Sequence, residues 1–464
     1  MTDTLDPATN TSTSDFPIRR PNDNPYLAGN IAPVEQEVTA FDLPTKGQIP
    51  VELEGRWLRN GPNPQEVADP AKHHWFLGAG MVHGVRLQGG EAKWYRNRFV
   101  VDEAGRQRGE FGANTNVGGF AGTTWAMVEG GNPPIELGYE LDSKGVNRFN
   151  GTLDGPFTAH PKYDPSTGEL HSMNYHWPDL MDHVNYTVVG GDGKVTKNLA
   201  IPVNDMPMMH DMSLTDKYAV IYDLSVTVNF DVLGAGYPFP FKWDADRPGR
   251  VGLLPRNGSA DDVVWCDVDP CYVFHPLNAY DAPDGTVVVD VCRYDAIMVD
   301  DRQGPFGDHL ATLDRWVIDP ATKRVTETRL DDRPQEFPRH NPKFGLKQHR
   351  FGYTSEVTVG DNYRHNIHGA ILKIDTDTGS SEAHEFGRGR GGAEPVFVPK
   401  ADGTTEDAGW ILTVVYDAAT DTSELQILDA EDISGPEVAS IELPQRVPFG
   451  FHGNWVPDSS VAPD

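Results

Sequence analysis

Short runs of strand-forming residues alternate with turn residues along almost the whole chain. Examples are "YAVIYDLSV", "TVVVDVCRY", "GAILKID" and "WILTVVYD", each followed closely by Gly, Pro, Asp or Asn. Brief apolar or alternating runs of this kind, separated by frequent turns, are typical of a β-sandwich, a barrel or a propeller. The 47 glycines and 37 prolines leave little room for long helices. The pattern therefore predicts an all-β fold.

Four turns resemble one another and favour the propeller among these folds. In each, an aspartate ends a strand and small polar residues turn the chain, so that its carboxylate can accept hydrogen bonds from the turn amides. The four aspartates are Asp164, Asp319, Asp375 and Asp429. Recurrence of one hairpin indicates radial repetition. The spacing is irregular, so a sandwich with long loops remains the alternative.

Two stretches interrupt the strand pattern. Residues 224–256 hold a run of Phe, Tyr, Pro and Trp, and residues 331–352 are polar and punctuated by proline. Long loops on a rigid scaffold are common places for binding sites. We interpret the first stretch either as a loop packed on its own aromatic residues or as an apolar entrance in transient contact with a membrane. The second stretch is predicted to be a loop.

The 464 residues contain 38% hydrophobic residues, enough for a large core. Residues 1–24 contain acids and no apolar run, so we expect a disordered tail rather than a signal peptide. A single domain is expected over residues 25–457, with a short tail at 458–464. No run approaches the roughly 20 apolar residues of a membrane span, so a cytoplasmic location, peripheral to a membrane at most, is expected.

Charge and cysteine content exclude several classes of protein. The formal net charge of -30 repels nucleic acid and disfavours anionic membranes. The three cysteines do not form a disulfide framework or a zinc motif, and their apolar neighbours predict buried, free thiols; they are Cys266, Cys271 and Cys292. These features make nucleic acid an unlikely partner, whereas an entrance at residues 224–256 would admit an apolar small molecule.

Most of the 16 histidines lack the context of a metal site. Adjacent side chains such as those of His73 and His74 diverge on a strand. His365 and His368 occur without a neighbouring acidic or cysteine ligand. His171, His176 and His183 follow a turn and lack the H-E-x-x-H motif of a helix-borne zinc site. We interpret as solvated or core residues His171, His176, His183, His365 and His368, together with the adjacent pair.

Four further histidines share a different setting. Each follows small or apolar residues and precedes Pro, Asp or Gly at a predicted strand edge; they are His160, His210, His275 and His452. Separations of 50, 65 and 177 residues would scatter them in a two-layer fold. In a propeller, different blades direct inner residues to one axis, where four neutral imidazoles would bind a first-row metal ion.

A ligating imidazole normally donates its second ring N–H to a carboxylate or carbonyl. Three glutamates lie in apolar or tight settings and are candidates for this role: Glu129, Glu336 and Glu394. Spacing alone does not select them from 69 acidic residues.

Local strings along the chain resemble the carotenoid cleavage oxygenases. They occur in that family's order from about residue 50 to 455, almost the whole chain. One such string is weak evidence, whereas the ordered set is highly specific. The strings are "WLRNGPNP", "GMVHGVRL", "WYRNRFV", "NTNVGGFAG", "VEGGNPPIEL", "TAHPKYDP", "MMHDMSLT", "GLLPR", "VFHPLNAY", "EPVFVP" and "GFHGNW".

The resemblance implies a seven-bladed β-propeller capped by a dome of loops and short helices, with one Fe(II) per chain on the propeller axis. The family cleaves an alkene double bond with O2 as co-substrate, giving two carbonyl products without an organic cofactor. Its four iron-binding histidines match His160, His210, His275 and His452. Four neutral ligands would leave two open positions on an octahedral ion, enough for O2 and an adjacent substrate.

The family also surrounds its histidines with three glutamates, which match Glu129, Glu336 and Glu394. By the same resemblance, Glu129 orients His210. Glu336 and Glu394 likewise orient His275 and His452, which leaves His160 without a carboxylate. The sequence departs from the family's acidic D-G-D/E-G-M motif, because Leu77 and Ala79 occupy the acidic positions of "FLGAGM". Iron binding should survive this change.

Substrate class is the remaining choice. Family members that cleave lignin-type stilbenes and phenylpropenes usually carry a lysine directly before the first glutamate, whereas this chain has Val128. The "NGPNP" string and the aromatic 224–256 stretch resemble the carotenoid and apocarotenoid branch, which we favour. The alternatives are a stilbene- or phenylpropene-cleaving oxygenase and a non-catalytic, metal-stabilised binding module.

Overall fold

Antiparallel strands dominate the computed structural model, which describes residues 24–102, 112–299, 301–305, 309–357 and 369–463. In chain order the strands are β1 (Thr39–Phe41), β2 (Thr45–Gly47), β3 (Gly55–Pro62), β4 (Gly80–Gln88), β5 (Glu91–Phe99), β6 (Asn116–Phe120), β7 (Thr123–Met127), β8 (Ile135–Leu137), β9 (Ser143–Val146), β10 (Lys162–Asp164), β11 (Glu169–Asn174), β12 (His183–Val189), β13 (Val195–Pro202), β14 (Met212–Leu214), β15 (Tyr218–Asp223), β16 (Val226–Val228), β17 (Phe241–Trp243), β18 (Gly249–Pro255), β19 (Val264–Val268), β20 (Tyr272–Asp281), β21 (Val287–Tyr294), β22 (Thr312–Asp319), β23 (Arg324–Asp331), β24 (Gln335–Arg339), β25 (Phe351–Glu356), β26 (Ile371–Asp375), β27 (Ser380–His384), β28 (Arg390–Gly392), β29 (Val396–Pro399), β30 (Gly409–Asp417), β31 (Thr422–Asp429), β32 (Ala439–Glu442) and β33 (Gly453–Pro457).

Helices are short in the described residues. The α-helix α1 spans Phe230–Gly234, and its Asn229 side chain caps the N-terminus by accepting a hydrogen bond from the Val232 amide. Single-turn 3-10 helices span Pro25–Leu27, Gly29–Ile31, Ala260–Asp262 and Pro342–Phe344. No helix of the described residues is long and apolar enough to cross a bilayer.

Seven sheets form the seven blades of a propeller, as the family resemblance implied. Blades 1 to 5 follow the chain: β6–β9; β10–β13; β14, β15, β18 and β19; β20–β23; and β24–β27. Blade 6 combines β28 to β32 with β2, and blade 7 combines β33 with β3, β4, β5 and β1. The first strand of each blade lies innermost, and neighbouring inner strands contact one another around the axis.

The chain ends close the ring at two blades. In blade 7 the C-terminal β33 pairs with β3, and in blade 6 the N-terminal β2 pairs with β32. Closure requires backbones to approach closely, because a Cβ on Gly453 would lie 2.4 Å from the Leu58 carbonyl oxygen. Residues after β33 also pack on the ring: Asp458 accepts a hydrogen bond from Tyr139, and Val461 is buried.

Two sequence expectations are wrong in this region of the fold. Residues 335–339 were expected in a loop but form β24, the inner strand of blade 5, which tolerates proline because a bulge interrupts its pairing after Glu336. The stretch 224–256 contains the hairpin β16–β17 and the complete blade strand β18. At the N-terminus, Asn24 is buried and hydrogen-bonded to the carbonyls of Pro70 and His73, whereas the rest of the expected tail lies outside the described residues.

The connections between the second and third strands of the blades form a cap on one face. Those of blades 7, 1, 2, 3 and 4 are long and supply most of the side chains around the main cavity of the molecule. The connection of blade 3 carries α1 and the hairpin β16–β17. This arrangement places an aromatic layer over the propeller axis.

Candidate metal centre

The four singled-out histidines meet on the propeller axis. His160 and His210 each lie two residues before the inner strand of blades 2 and 3, and His452 immediately precedes β33 of blade 7. His275 lies near the start of β20, the inner strand of blade 4. Because inner strands start at the same level around the axis, residues far apart in sequence become neighbours.

The four imidazoles form one buried cluster. One ring nitrogen from each lies within 4.8 Å of the corresponding atoms of the other three. The Nε2 atoms of His210 and His275 are 3.2 Å apart, and the His160 ring centroid is 4.3 Å from that of His210 and 4.6 Å from that of His452. The Nε2 atom of His160 is buried without a hydrogen-bond partner.

Three of the imidazoles contact a glutamate through Nδ1, in the pairing that the resemblance implied. Glu336 lies 2.6 Å from His275, and Glu394 lies 2.8 Å from His452. Glu129 contacts His210 directly and also accepts a hydrogen bond from the hydroxyl of Tyr175.

The glutamates are themselves held by further donors. Tyr294 and the Phe337 amide donate to Glu336 at 3.1 and 2.5 Å. Arg339 and the Gly453 amide donate to Glu394 at 3.0 and 2.6 Å. A carboxylate fixed in this way sets both the tautomer and the orientation of its imidazole.

His160 differs from the other three. Its nearest carboxylate is Asp211, with 3.9 Å between Nδ1 and Oδ2, beyond hydrogen-bonding distance. Asp211 is instead paired with Lys162 at 2.8 Å. The sequence analysis did not single out this ion pair, although Asp211 directly follows His210 and Lys162 lies two residues after His160.

Burial controls the protonation of the cluster. It lowers the pKa of His160 and His275 well below the usual value, with the neighbouring His210 adding to the effect. Burial also lowers the pKa of His452 to about 3, against the opposing effect of Glu394. Burial raises the pKa of Glu336 to about 7. Although burial alone would raise the pKa of Glu394, the Arg339 guanidinium and His452 lower it to about 2.

The cluster fits a divalent metal ion. A carboxylate on Nδ1 directs the lone pair of the neutral imidazole to Nε2, and these Nε2 atoms face one another. Without a shared ion, such an arrangement leaves acceptor lone pairs buried against one another, as the unpartnered His160 Nε2 illustrates. Imidazole suits iron, zinc, copper and nickel, so donor chemistry alone does not choose among these metals.

An apolar cavity of about 630 Å³ opens on the cap side of the cluster. His210, His275 and His452 form part of its inner wall, and its lining in the described residues includes no Lys or Arg. Aromatic side chains dominate the remainder: Trp75, Phe76, Tyr175, Trp177, Phe230, Phe239, Phe241, Phe274, Tyr294, Phe337 and Phe451. An elongated, apolar molecule suits this lining.

Two sequence details now have a structural setting. Leu77, which replaces an acidic residue of the family motif, is buried and lines the cavity, so the substitution makes the wall more apolar. Phe451, which precedes His452, packs against Trp75 with 4.8 Å between ring centroids and the two rings tilted by 58°. Gly450 allows close approach of two backbones, since a Cβ there would lie 2.7 Å from the Gly61 Cα.

The other histidines considered in the sequence analysis were expected to be core or solvated residues. His73, His74 and His171 are buried, whereas His176 and His183 are partly exposed and contact nearby aspartates. His365 and His368 lie outside the described residues.

A second cluster of potential ligands consists of Asp164, Glu169 and His171. The Arg256 guanidinium already contacts all three, at 2.6, 3.4 and 3.0 Å. The cluster is therefore an ion-pair network between blades 2 and 3.

The fold and the site together define a seven-bladed propeller with a four-histidine, three-glutamate centre beneath an apolar cavity. The sequence profile of the retinal pigment epithelial membrane protein family matches residues 31–457. The chain therefore belongs to this family, as the resemblance to the carotenoid cleavage oxygenases indicated, and the expected enzyme class is confirmed.

Individual relatives agree with this assignment. A carotenoid cleavage oxygenase of Mycobacterium tuberculosis is 42% identical over 94% of this chain and 98% of its own length. The apocarotenoid-15,15'-oxygenase of a Synechocystis species is 30% identical over 88% of this chain and 92% of its own length. The crystal structure of a lignostilbene dioxygenase of Pseudomonas brassicacearum superposes with a TM-score of 0.84 at 27% identity, covering 96% of this chain and 100% of that one.

Proposed function

We propose that His160, His210, His275 and His452 bind one Fe(II) and that the protein cleaves a C=C double bond of a carotenoid or apocarotenoid with O2, giving two carbonyl products. The observation that carries the proposal is the position of the four-histidine cluster at the inner end of a deep aromatic cavity. Bound iron would supply O2 activation.

The chain's own residues bind and orient the substrate and exclude water. The aromatic walls favour an extended polyene through burial of apolar surface, about 25 cal/mol per Å² removed from water. Glu129, Glu336 and Glu394 hold three imidazoles in place through Nδ1, and their carboxylates would help to balance the charge of a bound ion without touching it. Phe451 and Trp75 pack beside His452 and limit access of water.

Cleavage of a phenolic stilbene or phenylpropene is the competing function. A phenolate would have to be desolvated in the cavity, and burial of an unpaired charge is costly. The described lining offers no Lys or Arg to pair with it, and the residue before Glu129 is the buried Val128. These observations favour the polyene.

Mass spectrometry of products from a C40 carotenoid, an apocarotenal and resveratrol tests the proposal. We expect dominant cleavage of one of the two polyenes, with iron near one per chain and no activity in His210→Ala. Dominant cleavage of resveratrol would overturn the substrate assignment. A purified protein without iron, together with O2-dependent cleavage that persists in His210→Ala, would overturn the metal site and leave a binding module as the remaining possibility.

The mouth of the cavity supports the transient membrane contact predicted from residues 224–256. Phe230 is 63% exposed, Leu233 42% and Met181 55%, and all three line the cavity. Sedimentation with vesicles of zwitterionic phosphatidylcholine should decrease in Phe230→Ser/Leu233→Ser; equal sedimentation of the variant and the parent protein would contradict the contact. The cytoplasmic location stays a prediction, which fractionation of cells would test.

A further inference from the structure

A second cavity, of about 260 Å³, borders the histidine cluster away from the cap. His275, Phe337 and His452 line both cavities, and His160 lines the second one. The cluster therefore separates two chambers. The second chamber reaches the surface near Tyr163, whose side chain belongs to its lining and which is 53% exposed.

The second chamber differs chemically from the first. Two ion pairs lie in its wall, Lys162 with Asp211 at 2.8 Å and Arg339 with Glu394 at 2.9 Å. On another side, the Asn454 side-chain amide donates to the Asn116 side-chain oxygen at 3.0 Å. Formal charges in the wall cancel, but carboxylate and amide oxygens are available along the path to the imidazoles.

A divalent cation moves from water to the cluster only if lost hydration is replaced step by step. In an apolar passage the loss is uncompensated, so the free energy of the ion rises and its entry is opposed. Phe230, Leu233 and Met181 are exposed lining residues of the large cavity, and its two carboxylates, Glu129 and Glu336, are already in contact with His210 and His275. The second chamber contains Asp211, which lies beyond hydrogen-bonding distance of His160, together with the amides of Asn116 and Asn454. Oxygen ligands of this kind can exchange with metal-bound water.

We propose that the metal ion reaches the four histidines through the second chamber, while the apolar cavity admits the substrate. The inference rests on the proposed metal site but concerns a different property, the route of loading. Asp211 and Glu394 would act as successive oxygen ligands on the way to the imidazoles. Lys162 and Arg339 would slow the entry of the metal ion, because each neutralises one of these carboxylates.

Gly118 provides a steric test of the route. It lines the second chamber, and a Cβ added to it would lie 3.5 Å from Nδ2 of Asn454, the nearest atom outside its two chain neighbours. Gly118→Leu should therefore narrow the passage without a backbone clash. The matched control is Met181→Trp/Leu233→Trp, which adds bulk at the mouth of the apolar cavity instead.

The readout is the rate at which the full-length, chelator-stripped protein binds Co²⁺, followed by the visible absorbance of the bound ion. We expect Gly118→Leu to bind cobalt at least tenfold more slowly than the parent protein and the double-tryptophan control to bind at the parental rate. Slower binding in the control, with an unchanged rate in Gly118→Leu, would overturn the route. Equal rates in all three proteins would also overturn it.

Lys162→Met provides an independent test that does not depend on a larger side chain. Removal of one positive charge leaves a net negative chamber, which should concentrate cations and raise the rate of Co²⁺ binding about tenfold at low ionic strength, with the gain diminishing as salt is added. An unchanged or slower rate would contradict the proposal. Failure of the proposed function gives a different result, since no variant, and not even the parent protein, would reach one cobalt per chain at equilibrium.

Discussion

At the scale of single residues, the centre is assembled from one repeated position. The starts of the inner strands supply His160, His210, His275, Glu336 and Glu394 in blades 2 to 6. His452 follows at the same position in blade 7. The fold thus provides a ring of inward positions, and the choice of imidazole or carboxylate at each one determines whether it faces the metal or supports a neighbour.

Glu336→Gln tests the supporting role at one of these positions. Glutamine keeps the shape and can still accept a hydrogen bond from His275, but it removes the charge that polarises the imidazole. We expect affinity for Fe(II) or Co²⁺ to fall by 10- to 100-fold, the usual effect of losing such a partner. Metal titration of the stripped protein measures this loss.

The control for this variant is Glu382→Gln. Glu382 is exposed on β27, the outermost strand of blade 5. This control should bind metal like the parent protein. Parental affinity in Glu336→Gln as well would show that the 2.6 Å contact with His275 does not tune the site.

The sequence could not identify these residues from physical chemistry alone. The histidines are separated by 50 to 177 residues, and no spacing rule links Glu394 to His452. The apolar context of each histidine indicated burial, and the ordered family strings supplied the assignment. The Asp211–Lys162 pair was missed because an acid next to a histidine carries no signal of its own until the strand start is known.

At the scale of elements, the repeated aspartate turns show how much local chemistry determines. Asp319, Asp375 and Asp429 each end the third strand of a blade and accept amide hydrogen bonds from the following turn. Asp164 makes the same contacts but joins the first and second strands of blade 2. The motif was recognised correctly as a turn, although it does not always mark the same place in a blade.

Strands with a loop-like sequence, which form only through pairing with adjacent strands, were harder to predict. The strand β24 contains proline and a residue with positive φ, Phe337, so its sequence is typical of a loop. It forms a strand because the residues on either side of its bulge pair with β25. This pairing places Glu336 beside His275 at the axis. The stretch 224–256 likewise contains the strand β18, which forms by pairing with β15 and β19.

Arg256→Met tests the contact between two blades. The Arg256 guanidinium pairs with the buried Asp164 of blade 2 from the end of blade 3, so its removal leaves a buried carboxylate with its turn hydrogen bonds but without its cation. We expect the free energy of unfolding to fall by about 3 kcal/mol. Urea unfolding measures the change, and Arg256→Met/Asp164→Asn should recover part of it. A loss equal to or larger than that of the single variant would contradict this account.

At the scale of the whole molecule, both chain ends contribute strands to blades begun elsewhere in the sequence. Strand β33 from the C-terminus and β3 from near the N-terminus share blade 7, and β33 is preceded directly by His452. The strand that closes the ring therefore also positions the fourth histidine of the cluster. The composition predicted an all-β fold, but only the resemblance predicted seven blades, because the number of blades depends on how ends pair.

Acid should destabilise this closed ring before most carboxylates titrate, because it encloses neutral histidines outside the metal centre. Burial lowers the pKa of His83 to about 3 and those of His73 and His171 to about 4. The unfolded chain binds protons on these residues near pH 6.5 while the folded chain does not. Between pH 6.5 and about 4 the unfolded state therefore binds more protons, and stability falls as pH falls.

Each such histidine contributes up to about 1.4 kcal/mol per pH unit in this window, and nothing further above it. Urea unfolding at pH 7.5, 6.5, 5.5 and 5.0 should show a nearly constant free energy at the first two values and a steep decline at the last two. His83→Gln keeps a polar partner for the Tyr95 hydroxyl, which lies 2.8 Å from the imidazole, but cannot bind a proton. Its decline should be shallower by about one proton, whereas a slope equal to that of the parent protein would mean that His83 is not held neutral by the fold.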